Sequence, residues 1–135
     1  MLRTHLSFRS VTLLDPDSDR LPGGGRVAEL LVARLPSHGF QPKTGLEEDW
    51  GWRVDIANDA FQLWIGCGGR HETEDGHLCF IEPSKPFVRR WFKKIATTET
   101  VERLAKAMEA ILTTDGQVTE LSWWTEEELA QVRWP

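Results

Sequence analysis

Two cysteines are all this 135-residue chain contains, too few for a disulfide framework. Tyrosine is missing altogether, an unusual balance beside seven tryptophans. No run approaches the roughly 20 apolar residues of a membrane-spanning helix. The opening Met1-Leu2-Arg3-Thr4-His5 leads into an alternating stretch rather than an unbroken apolar run, so no signal peptide is expected. A cytosolic protein with reduced thiols is the default. Basic residues are outnumbered, 16 against 21 acids, and the net charge of −5 argues for solubility and against a general nucleic-acid binder. H-E-x-x-H, G-x-S-x-G and Gly-Lys-Ser/Thr do not occur, which removes the common zinc-protease, serine-hydrolase and phosphate-loop signatures.

What remains is the composition of an ordinary folded chain, 40% hydrophobic and 27% charged. Its length fits a single domain over residues 1–135 with a core of its own. The clearest folding signal runs from Trp50 to Cys67. Trp50, Trp52, Val54 and Ile56 alternate with Gly51, Arg53, Asp55 and Ala57. Phe61, Leu63, Ile65 and Cys67 then alternate with Gln62, Trp64 and Gly66. Period-2 alternation predicts two antiparallel strands, and Asn58-Asp59 suits a tight turn between them.

The other elements follow from the same rules. Residues 4–14 predict a first strand, with a parity switch that suggests a bulge near Ser10 or burial on both faces further along. A turn-rich loop from Asp15 to Gly25 precedes a helix carrying Val27, Leu30, Leu31 and Leu35 on one face. Pro36 stops or kinks that helix. His77 to Glu82 predicts a third meander strand, ended by Pro83. Residues 86–95 sort at helical spacing: Phe87, Val88, Trp91, Phe92 and Ile95 face one side and Arg89, Arg90, Lys93 and Lys94 the other. A longer helix capped by Thr97 or Thr98 buries Val101, Leu104, Ala105, Met108, Ile111 and Leu112. Val118 to Trp124 predicts a last strand, and Thr125 caps a short terminal helix. The expected fold is α+β: a largely antiparallel sheet of about five strands, in the order β-α-β-β-β-α-α-β, with helices on one face.

The segments GGRVAELLVARL, EDWGWRVDI, FQLWIG, LCFIEP, KPFVRRWFKKI and LSWW together resemble a group of small bacterial α+β proteins of unknown function. That resemblance covers most of the chain and implies no activity or functional residues. By size and acidity the chain is also similar to toxin-neutralising immunity proteins, which implies a protein partner.

Five groups of residues are candidates for chemistry. Cys67, His71, His77 and Cys79 have the donor types of a zinc site. Strand parity opposes it: if Leu78 and Phe80 face the core with Cys67, then His77 and Cys79 point away. Gly23, Gly25 and Ala28 fit G-x-G-x-x-A before a helix, but at the end of a long loop rather than directly after a strand. The carboxylates Glu47, Glu48, Asp49, Glu72, Glu74, Asp75 and Glu126 to Glu128 sit in polar runs and read as solvated faces. Trp123 and Trp124 are adjacent in a strand and must face opposite sides; Trp64 has the parity opposite to its apolar neighbours. Lys85, Arg89, Arg90, Lys93 and Lys94 concentrate positive charge in an acidic chain, suited to anionic lipid, nucleic acid or an acidic partner.

Weighed together, these features predict a non-catalytic cytosolic binding protein that engages a protein partner in an immunity or regulatory role. Its contact residues are Trp64, Trp123, Trp124, Arg53, Arg89, Arg90 and Lys93. No metal and no cofactor is expected, and a homo-oligomer is left open. The alternative is a small-molecule- or anion-binding enzyme with a pocket between sheet and helices near Trp64, Trp124 and Arg53.

Overall fold

The computed structural model describes residues 2–16, 23–70 and 73–131. Six antiparallel strands form the main sheet: β1 (His5–Arg9), β2 (Leu46–Glu48), β3 (Gly51–Ile56), β4 (Leu63–Gly69), β5 (Gly76–Glu82) and β8 (Thr119–Trp124). Their spatial order is β2-β3-β4-β5-β1-β8, so the meander β2 to β5 is completed by β1 and then β8. A separate hairpin is built from β6 (Phe87–Arg90) and β7 (Lys93–Ala96). Three helices complete the described chain: α1 (Gly25–Arg34), α2 (Thr98–Asp115) and α3 (Glu126–Gln131). The fold is α+β, as the residue pattern predicts.

One face of the sheet holds the core. Val54 lies opposite Ile65, which lies opposite Ile81; in the next row Cys67, Cys79 and Leu6 are partners. Cross-strand partners share a face. Leu6, Val54, Ile65, Cys67, Cys79 and Ile81 are all fully buried. They join one apolar cluster with Val27, Ala28 and Leu31 of α1 and Val101, Leu104, Met108, Ile111 and Leu112 of α2. Each such aliphatic side chain contributes about 1.5–3 kcal/mol by leaving water.

Helix α1 begins against β4. Gly24 is left-handed, and a Cβ there would overlap the Cys67 carbonyl, so only glycine brings the chain this close. The Asp15 carboxylate accepts hydrogen bonds from the backbone N–H of Gly25 and Arg26 at 3.2 and 2.8 Å. A short 3-10 turn, Leu35–His38, takes in Pro36, and left-handed Gly39 ends it. Helix α3 is fixed by a reciprocal cap. Glu128 N–H donates to Thr125 Oγ1, and Thr125 N–H donates to Glu128 Oε1.

Four expectations need correction. Residues 86–95 are the β6–β7 hairpin, not a helix. The first strand stops at Arg9, after which Val11 is exposed and Leu13 turns back into the core. The parity switch near Ser10 marks that strand end; the irregularity lies in the pairing with β8, between Ser7 and Arg9. Ile56 and Leu63 are joined by a six-residue loop, with Phe61 buried in it, rather than by a tight turn at Asn58-Asp59. Trp50 lies in the turn between β2 and β3, outside the strand alternation that holds Trp52, Val54 and Ile56. The middle of the loop from Asp15 to Gly25, residues 17–22, lies outside the described residues.

Candidate functional site

The sheet face opposite the core carries a transverse row through all six strands: Leu46, Arg53, Gly66, Phe80, His5 and Trp124. A second row sets Asp55, Trp64 and Glu82 side by side. Gly66 decides how these rings pack. A Cβ at this position would overlap the Phe80 ring, so Phe80 lies down over the glycine. There it meets Trp64 edge-on at 5.4 Å and Trp50 at 5.4 Å, and stacks with His5 at 5.8 Å. Trp50 and Trp64 are 6.0 Å apart. The result is a contiguous aromatic cluster in which Trp50 is the most exposed ring, at 41%.

Polar groups frame the cluster. The Arg53 guanidinium lies 4.1 Å over the Trp64 ring and donates to Asp55 Oδ1 at 2.9 and 3.1 Å. Trp124 Nε1–H donates to Ser7 Oγ at 2.9 Å. Burial pushes the His5 imidazole below its usual range against the opposing pull of Glu126 and Glu127. Burial, reinforced by Glu126, raises the Glu82 carboxyl.

Trp64 and Arg53 are thus brought together, and Trp124 shares their face three strands from Trp64, while Trp123 lies on the opposite face. Trp123 pairs with Leu6 on the core face, and its indole N–H donates to Glu109 Oε1 of α2 at 2.9 Å. The expected pocket between sheet and helices near Trp64, Trp124 and Arg53 has no place in this arrangement, because those residues occupy the other face. A groove of about 970 Å³ runs instead along α1, with Asp15, Arg26, Glu29, Glu47 and Trp52 on its walls. The glycine-rich start of α1 is not a free anion site, since Asp15 already occupies its N–H groups.

The zinc candidates divide differently from the parity expectation. His71 lies outside the described residues, as does Glu72. His77, Cys79 and Ile81 face the core, and Leu78 and Phe80 face away. Cys67 and Cys79 are direct cross-strand partners, both buried as free thiols. The hydrogen bond with Cys79 and burial both push the Cys67 thiol up, away from the thiolate that a metal requires. His77 stacks on Phe8 at 5.0 Å and bonds through Nε2 to the Ser10 carbonyl at 2.9 Å. Among the described residues no group of three or more His, Cys, Asp or Glu side chains is placed to hold a metal ion.

Arg89, Arg90 and Lys93 stand apart on the β6–β7 hairpin. Arg89 pairs with Lys94 and Arg90 with Lys93. The turn between them is Trp91-Phe92, exposed at 89% and 98%. Trp91 has φ 60°, a left-handed conformation costing a non-glycine residue on the order of 1–3 kcal/mol. Val88 and Ile95 pair at the stem and pack against the core. Thr97 Oγ1 donates to the Lys85 carbonyl, and Thr97 N–H to the Pro86 carbonyl at 3.0 Å, closing the base.

Trp50, Phe80 and His5 belong to the cluster without having been singled out by the residue pattern. The signal was Gly66: an isolated glycine inside a strand marks a close approach. No helix of the described chain is long and apolar enough to cross a membrane. Comparison with protein-family models, with curated proteins and with solved structures gave no match.

Proposed function

We propose that this chain is a non-catalytic binding protein that engages a protein partner through the aromatic face of its sheet. One observation carries the reading: Trp50, Trp64, Phe80 and His5 form a continuous cluster, with Trp124 next to His5 in the strand register, on the sheet face that α1 and α2 leave uncovered. Aromatic and arginine side chains dominate binding energy at protein interfaces. Here they are already packed against one another, so little side-chain entropy is lost on docking. The rings are tilted and mutually packed rather than coplanar, which suits an irregular protein surface better than the flat face of a sugar. An immunity or regulatory role, in which the chain covers a working surface of its partner, is the concrete form of this reading.

A photo-crosslinking amino acid placed at Trp50 tests it, with Glu102 on the exposed side of α2 as the comparison site. The expected result is one protein crosslinked from position 50 and not from position 102, with the yield lost on Phe80→Ala. Equal crosslinking from both positions, or none from position 50, contradicts the reading.

A further inference from the structure

The β6–β7 hairpin is a separate surface and does not depend on the reading of the sheet face. We infer that its tip, Trp91-Phe92 with Arg89, Arg90, Lys93 and Lys94, docks on an anionic membrane surface. Four basic residues and no acid lie between Phe87 and Ala96, leaving −9 on the rest of a chain whose total is −5. Among the described residues none of the four cations has a carboxylate within ion-pair distance. Arg90 donates to the carbonyls of Asp59 and Ala60 at 2.8 and 3.3 Å, and Lys94 lies 3.8 Å over the Phe87 ring. Those contacts are to carbonyls and a ring, so none of them neutralises the hairpin's charge.

The order of chemistry along the hairpin matches the depth order of a bilayer surface. Two large apolar side chains stand outermost, almost wholly in solvent. Strand rise places the two cation pairs roughly 3 and 7 Å behind them. An interfacial element buries its apolar side about 5–10 Å into the headgroup and acyl boundary, which sets those cations at phosphate level. Tryptophan favours that boundary because its ring is apolar and its N–H is not. A single-stranded nucleic-acid site combines successive aromatics with a continuous basic groove. In this molecule the other aromatic cluster lies on the sheet beside Asp55 and Glu82, and its Arg53 is already bonded to Asp55.

Co-sedimentation of the full chain with vesicles tests the proposal, using phosphatidylcholine alone and phosphatidylcholine with about 30% phosphatidylserine. Binding to the anionic vesicles is expected to be at least about tenfold tighter than to neutral ones and to weaken with added salt. Trp91→Ala/Phe92→Ala and Arg89→Glu/Lys93→Glu are each expected to lose about tenfold or more, and Val11→Ser, at another exposed apolar site, to bind as the wild type. Vesicles with brominated acyl chains supply a readout that needs no destabilising variant: they should quench fluorescence in the wild type and quench less in Trp91→Phe. Absence of binding to anionic vesicles overturns the proposal. So does binding that both double variants retain, or tip-dependent binding of an oligonucleotide in preference to the vesicles.

Discussion

Gly66, the Cys67–Cys79 pair and His77 make the residue-level account testable. Gly66 is glycine because the Phe80 ring occupies the space of a Cβ. Gly66→Ala forces that ring off its neighbours and is expected to destabilise by about 1–3 kcal/mol, the range for overpacking, read from urea unfolding. Cys67 and Cys79 face each other inside the core, and the Cys67 thiol is pushed up by its partner and by burial. The native protein should therefore show no thiol reactive toward a disulfide reagent, and unfolding should expose two. His77 donates through Nε2 to Ser10 and leaves Nδ1 buried without a partner, so protonation places a charge in the core. Burial holds His77 and His5 below the ordinary imidazole value of 6.5. Unfolding restores that value, so the unfolded chain binds more protons just below it, and stability falls as pH drops through that window. The urea midpoint is expected to fall from about pH 7.5 to about pH 6, with a shallower fall in His77→Gln. Glu82, raised from 4.5, opposes the trend only at lower pH.

At the scale of elements, the long, strongly patterned segments were legible and the short ones were not. α2 buries nearly the set of residues its periodicity names, because a 3.6-residue repeat sustained over 18 residues leaves one solution. Leu63 and Ile65 are likewise core, and truncation of either to alanine should cost about 2–5 kcal/mol. The hairpin carries helical spacing for a definable reason. Val88 and Ile95 are seven residues apart, which is two helical turns, but they are also mirror positions about a two-residue turn. Trp91-Phe92 carries no glycine, asparagine or proline, so no turn signal separates the cases. In β5 both parities are apolar, so alternation alone did not choose a face. Phe80 faces outward because Gly66 beside it leaves room. Charge reversal at Arg89 should leave stability within about 0.5 kcal/mol of wild type in chemical denaturation, as for a solvated side chain.

The whole molecule is a two-faced sheet with one face spent on stability. α1 and α2 bury the aliphatic rows, and the aromatic rows remain on the side those helices leave uncovered. Hydrophobic periodicity made an α+β fold legible but left the use of that second face open, because Trp64, Phe80 and Trp124 acquire a common meaning only once the strand order sets them on one face. Net charge hides a second division. An acidic body and a basic aromatic hairpin sum to −5, and only the fold separates them. The two surfaces should differ in kinetics: hairpin charge acts on association, whereas packed aromatics act on dissociation. The most direct measurement is the dissociation rate of the protein captured by crosslinking from position 50. Trp50→Ala, at the most exposed ring, is expected to raise that rate about 30-fold or more, corresponding to roughly 2 kcal/mol for an interface hot spot. A Trp50→Ala protein that folds like the wild type and releases the partner at the wild-type rate would contradict the assignment of the aromatic face as the binding surface.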